Sequence, residues 1–184
     1  MLKSELDRSA RAALDPSMEA VSLRALRGRS AAWRSDDRRL FAWIVNDSKA
    51  RDPYKGGAFT IEFELSHDGS WMKKLSGRTR LGGLITAEEF ESLLSIQRDV
   101  VRSLKRPPAS HVELLPESLR ARYLASFDPP EAAVRGELWL RYLSDDHLAE
   151  WWRALAPLVP ALVARTRTLD PHKLYRESDR FLSP

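Results

Sequence analysis

The chain contains no cysteine, which excludes a disulfide framework, a thiol nucleophile and a cysteine-ligated zinc. Any chemistry would fall to imidazole, carboxylate, hydroxyl or amine groups. Glycine is scarce, at eight among 184 residues, and none of the eight builds a GxGxxG or GxxxxGK[ST] loop that would cradle a phosphate. The GxSxG, HExxH and EF-hand patterns are missing as well, so no motif announces a cofactor or a catalytic metal. The longest apolar run, Leu155 to Ala164, is ten residues and carries Pro157 and Pro160. A helix that crosses a bilayer needs about 20. The first eight residues, MLKSELDR, bring charge into the first turn and have no apolar h-region, so they do not read as an export signal. Together these absences point to the bacterial cytoplasm, with no membrane partner.

What is present is 43% hydrophobic and 30% charged, enough apolar material for one globular core in a single domain over residues 1–184. Residues 168–184 read as a C-terminal tail or a short docking helix. Residues 2–14 place Leu2, Leu6, Ala10, Ala13 and Leu14 on one helical stripe, and Pro16 is expected to stop that helix. A second short helix over about 17–26 ends at Gly28. The period then changes from 3.6 to 2. Residues 29–35 and 38–46 flank Asp36 and Asp37 as a hairpin, and Leu40 to Val45 is apolar on both faces, as a central strand must be. In residues 58–66, Phe59, Ile61, Phe63 and Leu65 alternate with Thr60, Glu62, Glu64 and Ser66. Part of 67–85, either Trp71 to Leu75 or Arg78 to Leu81, is expected to extend the sheet.

Thr86 and Glu89 fit a capping box for a helix with Phe90, Leu93, Leu94, Gln97, Val101 and Leu104 on its apolar stripe. Pro107 and Pro108 end it. Pro116 opens another short helix to about Ser126, and Gly136 to Ser144 reads as a last strand. Ser144, Asp145 and Asp146 begin the longest helix, which buries Trp151 and Trp152 and is expected to kink at Pro157 and Pro160. The fold class is therefore α+β, an antiparallel sheet of about four to five strands covered by helices.

Three readings of function follow. His67, His111, His147 and His172 are dispersed and do not make a ligand set; His147 with Glu150 is one pair where carboxylate-bridged metal bundles need two. His67-Asp68 resembles the metal-binding dipeptide of helical phosphohydrolases, but it stands beside Gly69 as a turn would. Glu62 and Glu64 share a strand face and, with Asp47, could hold Mg²⁺ in a metal-dependent hydrolase. The alternative for these carboxylates is cross-strand pairing with Arg34 or Arg141. The formal net charge of +4 concentrates between Arg24 and Lys55, where basic residues outnumber acidic ones; outside it the signs nearly balance. Trp33, Arg34, Arg38, Arg39, Lys49, Arg51, Tyr54 and Lys55 are the candidate binding residues there, a nucleic-acid grip in which arginines hold phosphates while Trp33 and Tyr54 stack bases. The leading expectation is a non-enzymatic interaction protein without cofactor, binding an immunity-type, regulatory or defence-associated macromolecular partner through the sheet face or these loops.

The order of elements adds one resemblance. An N-terminal helix pair, Trp33-Arg34 on a first strand, Leu40 to Val45 running into Asn46-Asp47-Ser48-Lys49, Phe59 to Leu65 and a late Trp151-Trp152 helix resemble the bacterial domain-of-unknown-function family 4304. That resemblance implies a small α+β cytoplasmic domain without assigned activity and carries over no functional residues.

Overall fold

A strand apolar at every position has two faces to bury, and the segment from Leu40 finds both covered. The computed structural model describes residues 3–28, 31–47, 52–66, 77–128 and 138–169. The elements in chain order are α1 (Lys3–Ala20), β1 (Leu23–Ala25), β2 (Ala32–Ser35), β3 (Leu40–Asn46), β4 (Gly57–Leu65), β5 (Gly77–Arg80), α2 (Leu81–Leu84), α3 (Ala87–Ser103), α4 (Ala109–Glu113), α5 (Glu117–Ala125), β6 (Leu140–Tyr142), α6 (Asp145–Leu155) and α7 (Val159–Thr168). The sheet runs β1-β2-β3-β4-β5, every pair antiparallel, and β3 is its middle strand. β6 pairs with the first residues of β4 and β5 with the last, so the two divide the far edge of β4 between them. The count of six exceeds the expected four to five because β1, at only three residues, is too short for an alternation to show.

Register fixes what each face carries. Trp33 lies opposite Ala42 and Ala42 opposite Phe63, while Ile44 faces Ile61. These residues meet Leu6, Ala10, Leu14 and Met18 of α1, Trp151, Trp152 and Leu155 of α6, and Val159, Leu162 and Val163 of α7 in one core. The three indoles of this core each find an acceptor: Trp33 Nε1 donates to Asp15 (2.6 Å), Trp151 Nε1 to the Arg141 carbonyl (2.6 Å) and Trp152 Nε1 to Ser9 Oγ (2.7 Å). Satisfying that one polar atom lets so large an apolar body stay buried. The other face carries Arg34, Phe41, Trp43, Glu62, Glu64, Arg78 and Arg80.

Several sequence signals are met in detail. Thr86 Oγ1 accepts from the Glu89 amide and the Glu89 carboxylate accepts from the Thr86 amide, closing the capping box. Ser144 caps α6, and Ala156–Leu158 tightens into a 3₁₀ turn that lets α7 restart with Pro160 in its first turn. Trp71 to Leu75 lies outside the described residues, while β5 bears out the other half of that expectation.

Two expectations are corrected. Helix α1 does not stop before Pro16; it continues to Ala20. Leu14 and Met18, fully buried on either side of the proline, extend the stripe of Leu6 and Ala10, and this packing outweighs the lost backbone donor. The expected helix over 17–26 is instead the end of α1, a turn at Ser22 with φ of 63° and strand β1. The last strand is confined to Leu140–Tyr142, within the expected 136–144, of which 136–137 lie outside the described residues.

Candidate functional site

The six of the eight candidate binding residues that the structure describes do not form one patch. Arg38 and Arg39 sit in the β2–β3 turn, before β3, whereas Tyr54 and Lys55 sit in the loop after it. Seven strand residues separate the two groups, about 23 Å at 3.3 Å per residue. Lys49 and Arg51 lie outside the described residues. Trp33 is fully buried on the helix-covered face and bonded to Asp15, so it offers no ring for a base to stack on. Arg34 is half-buried on the opposite face. The expectation of a continuous basic grip with Trp33 as a stacking platform is therefore corrected.

At the loop end the charges of Asp52 and Lys55 are spent internally. Asp52 Oδ1 accepts from the Tyr54 amide (2.8 Å) and the Lys55 amide (2.9 Å), an Asx turn that shapes the loop. Its other oxygen accepts from Tyr123 Oη (2.9 Å) on α5 and lies 3.7 Å from His111 Nε2 on α4. His111 packs edge-on against Tyr54, with centroids 4.7 Å apart, and Lys55 Nζ stands 3.9 Å from the centre of the Tyr123 ring. Burial pushes the Asp52 carboxyl up, but the Lys55 and Tyr54 amides, the Tyr123 hydroxyl and His111 together hold it below its ordinary value. Burial and the Asp52 charge raise the Tyr123 phenol. Lys55 is lowered, first by burial and then by Arg141, with Asp52 opposing. Below this loop, Gly56 at φ of 72° brings its backbone against β6: a Cβ there would stand 2.0 Å from the Tyr142 carbonyl oxygen. The Gly56-Gly57 pair is thus a close strand approach as well as a turn.

The hairpin end is built differently. Arg38 takes φ of 59°, a left-handed conformation closed by its amide on the Ser35 carbonyl (2.9 Å). Asp37 accepts from Ser35 Oγ and from the Arg39 amide (3.0 Å), and these bonds, with the Arg167 and Arg39 charges, hold its carboxyl below the usual range. Arg24 pairs with Asp36 at 2.8 Å in the open, an interaction worth at most about 1 kcal/mol. Among the described residues, no hydrogen bond or ion pair engages the guanidinium groups of Arg38, Arg39 or Arg167. Arg39 and Arg167 line a cavity of about 440 Å³ with Asp37, Leu40, Leu65 and Leu169.

The proposed metal carboxylates do not converge. Asn46 is opposite Phe59, so Asp47 stands four residues down the ladder from Glu62, about 13 Å away. Glu62 is paired with Arg80 (3.2 Å) and the fully buried Glu64 with Arg78 (3.1 Å), so their partners are the β5 arginines and not Arg34 or Arg141. Arg78 also lies over Trp43 and Arg80 over Trp139, at 5.7 and 5.4 Å from the ring centres. Arg141 instead donates to the Ser126 carbonyl (2.6 Å). Among the described residues, no group of three His, Asp or Glu is placed to hold a metal ion. His147 accepts from the Leu143 amide at Nδ1 (3.1 Å), and its Nε2 lies 3.1 Å from Ser103 Oγ, which ties the ring to the end of α3.

Sequence reasoning missed Asp52, His111 and Tyr123. The partners are separated by up to 71 residues and belong to no motif, so only the Asp at the start of a turn-rich loop signalled anything. No family model matches the chain, and neither a curated protein nor a solved structure does. The resemblance to family 4304 rests on the aromatic and strand positions alone. No helix among the described residues is long and apolar enough to cross a membrane.

Proposed function

We propose that the chain is a non-enzymatic cytoplasmic interaction protein, immunity-type, regulatory or defence-associated, that binds an acidic macromolecular partner through the hairpin end of its sheet. One observation carries this reading: among the described residues the guanidinium groups of Arg38, Arg39 and Arg167 make no hydrogen bond or ion pair, while the carboxylates of the sheet face and of the loop end are held by arginine, hydroxyl and amide groups. Exposed guanidinium groups suit binding hot spots, because their planar fork engages a carboxylate with two hydrogen bonds. A carboxylate already engaged by arginine is a poor metal ligand or general base.

The test measures anisotropy of a fluorescein-labelled decaglutamate and of a labelled 20-base-pair DNA, each titrated with the full chain at 50 and 200 mM salt. Decaglutamate binding that weakens with salt and is lost in Arg38→Ala with Arg39→Ala supports the proposal. Binding to neither probe would sink it, as would metal-dependent turnover of nucleotide, ester or nucleic-acid substrates. Binding of the DNA alone, with affinity falling by orders of magnitude between the two salt concentrations, would replace a protein partner with a nucleic acid.

A further inference from the structure

The hairpin turn and the last turn of α7 approach one another across the start of β3. Between them lies the cavity of about 440 Å³, within the range that encloses a small ligand or one or two residues of a peptide. Its polar lining is small: Arg39 and Arg167, with Asp37 and Ser66 beside them. Its apolar walls are the half-buried Leu65 and Leu169, over the already buried Leu40. The neighbouring arginine on α7 is not available for this cavity, since Arg165 is committed to the Glu89 carboxylate (2.5 and 2.9 Å) and the Leu84 carbonyl (3.0 Å). Arg167 has no such acceptor among the described residues, and Arg39 has none either.

We propose that this cavity is a subsite for a carboxylate attached to an apolar group, contributed by the partner; the proposal rests on the interaction reading above and names the chemistry it would recognise. Charge decides between anions. Two guanidinium groups face one carboxylate, Asp37, which both of them stabilise in its ionised form. That leaves a single positive charge uncompensated. A monoanion balances it, whereas a phosphate carrying close to two negative charges would leave an excess in a partly enclosed site. The leucine walls add a requirement that free inorganic anions do not meet, because covering them gains free energy only if the ligand brings apolar surface. A C-terminal carboxylate on a leucine-like residue meets both conditions, and so does a glutamate side chain flanked by apolar residues.

The experiment uses the ¹⁵N-labelled full chain and four probes: acetyl-Gly-Leu-Leu as the free acid, the same tripeptide amidated, acetyl-Gly-Glu-Leu-amide, and inorganic phosphate. The free acid or the glutamate peptide is expected to shift the amides of Asp37, Arg39, Leu40 and Leu169 in a saturable way, and the stronger of the two identifies the source of the carboxylate. The amidated Leu-Leu peptide is expected to bind at least tenfold more weakly than the better acid. Arg167→Gln, a change on an exposed side chain, is expected to lower that affinity at least tenfold. Equal binding of acid and amide, tighter binding of phosphate than of either peptide acid, or an Arg167→Gln variant of undiminished affinity would overturn the subsite. Arg167 takes no part in the double-variant test of the interaction reading. Decaglutamate binding that survives Arg167→Gln while no tripeptide binds therefore removes the subsite and leaves that reading standing.

Discussion

The two ends of β3 carry similar residues to opposite purposes. After the strand, Asp52 gathers two backbone amides, a tyrosine hydroxyl and a histidine, and Lys55 lies on the Tyr123 ring; the charges there hold the loop to α4 and α5. Before the strand, Arg38 and Arg39 project from a turn closed by Ser35, Asp37 and backbone atoms, with Asp36 paired to Arg24. A charge that is fully used inside the fold contributes to stability, and a charge left over is available to something else. A count of basic residues between Arg24 and Lys55 cannot make that distinction.

Substitutions at the two ends should therefore differ in sign as well as in size. The largest effect is expected from Gly56→Ala at the loop end. The added methyl meets the Tyr142 carbonyl and the backbone must hold φ of 72°, so urea denaturation should show a loss of about 3 kcal/mol. Next comes Tyr123→Phe, which takes away one hydrogen bond to a charged carboxylate. The expected cost is about 2 kcal/mol, read from the same denaturation curves, with decaglutamate binding unchanged.

Acid should sharpen the contrast further. Asp37 and Asp52 both have carboxyls held below their ordinary value in the folded chain. Their contribution is thus complete at neutral pH and lost as the pH falls below about 4, through the depressed folded values. Asp52 is the less exposed, so Asp52→Asn should flatten the acid limb of a stability-against-pH profile more than Asp37→Asn does. The smallest effect is expected from Arg38→Gly. It relieves a left-handed residue at some cost in unfolded-chain entropy, for a net gain below about 1 kcal/mol, while weakening binding of the acidic probe. A loss of stability here as large as at Gly56 would erase the comparison.

Local rules made much of the fold legible. The capping box at Thr86, the proline restart after Leu155, the alternation from Phe59 to Leu65 and the doubly apolar β3 are each written within a dozen residues. Pro16 misled because the reason α1 continues lies in what Leu14 and Met18 pack against, not in the residues beside the proline. Strand β1 was hidden by its length, since three residues following a helix show no period. For the site, alternation put Trp33 and Arg34 on opposite faces but could not say which face the helices cover. The separation of Arg38 and Arg39 from Tyr54 and Lys55 was implicit in a strand of seven residues between them. The Asp52–Tyr123 contact, across 71 positions, was beyond any local signal.

The division of labour between the ends is tested most directly by comparing two variants of the full chain, Arg38→Ala with Arg39→Ala and Lys55→Ala, for decaglutamate affinity at 50 mM salt. The expected result is at least a tenfold loss in the hairpin variant and less than a twofold change in the Lys55 variant. Equal losses in both, or a loss confined to Lys55→Ala, would contradict the assignment of binding to the hairpin end.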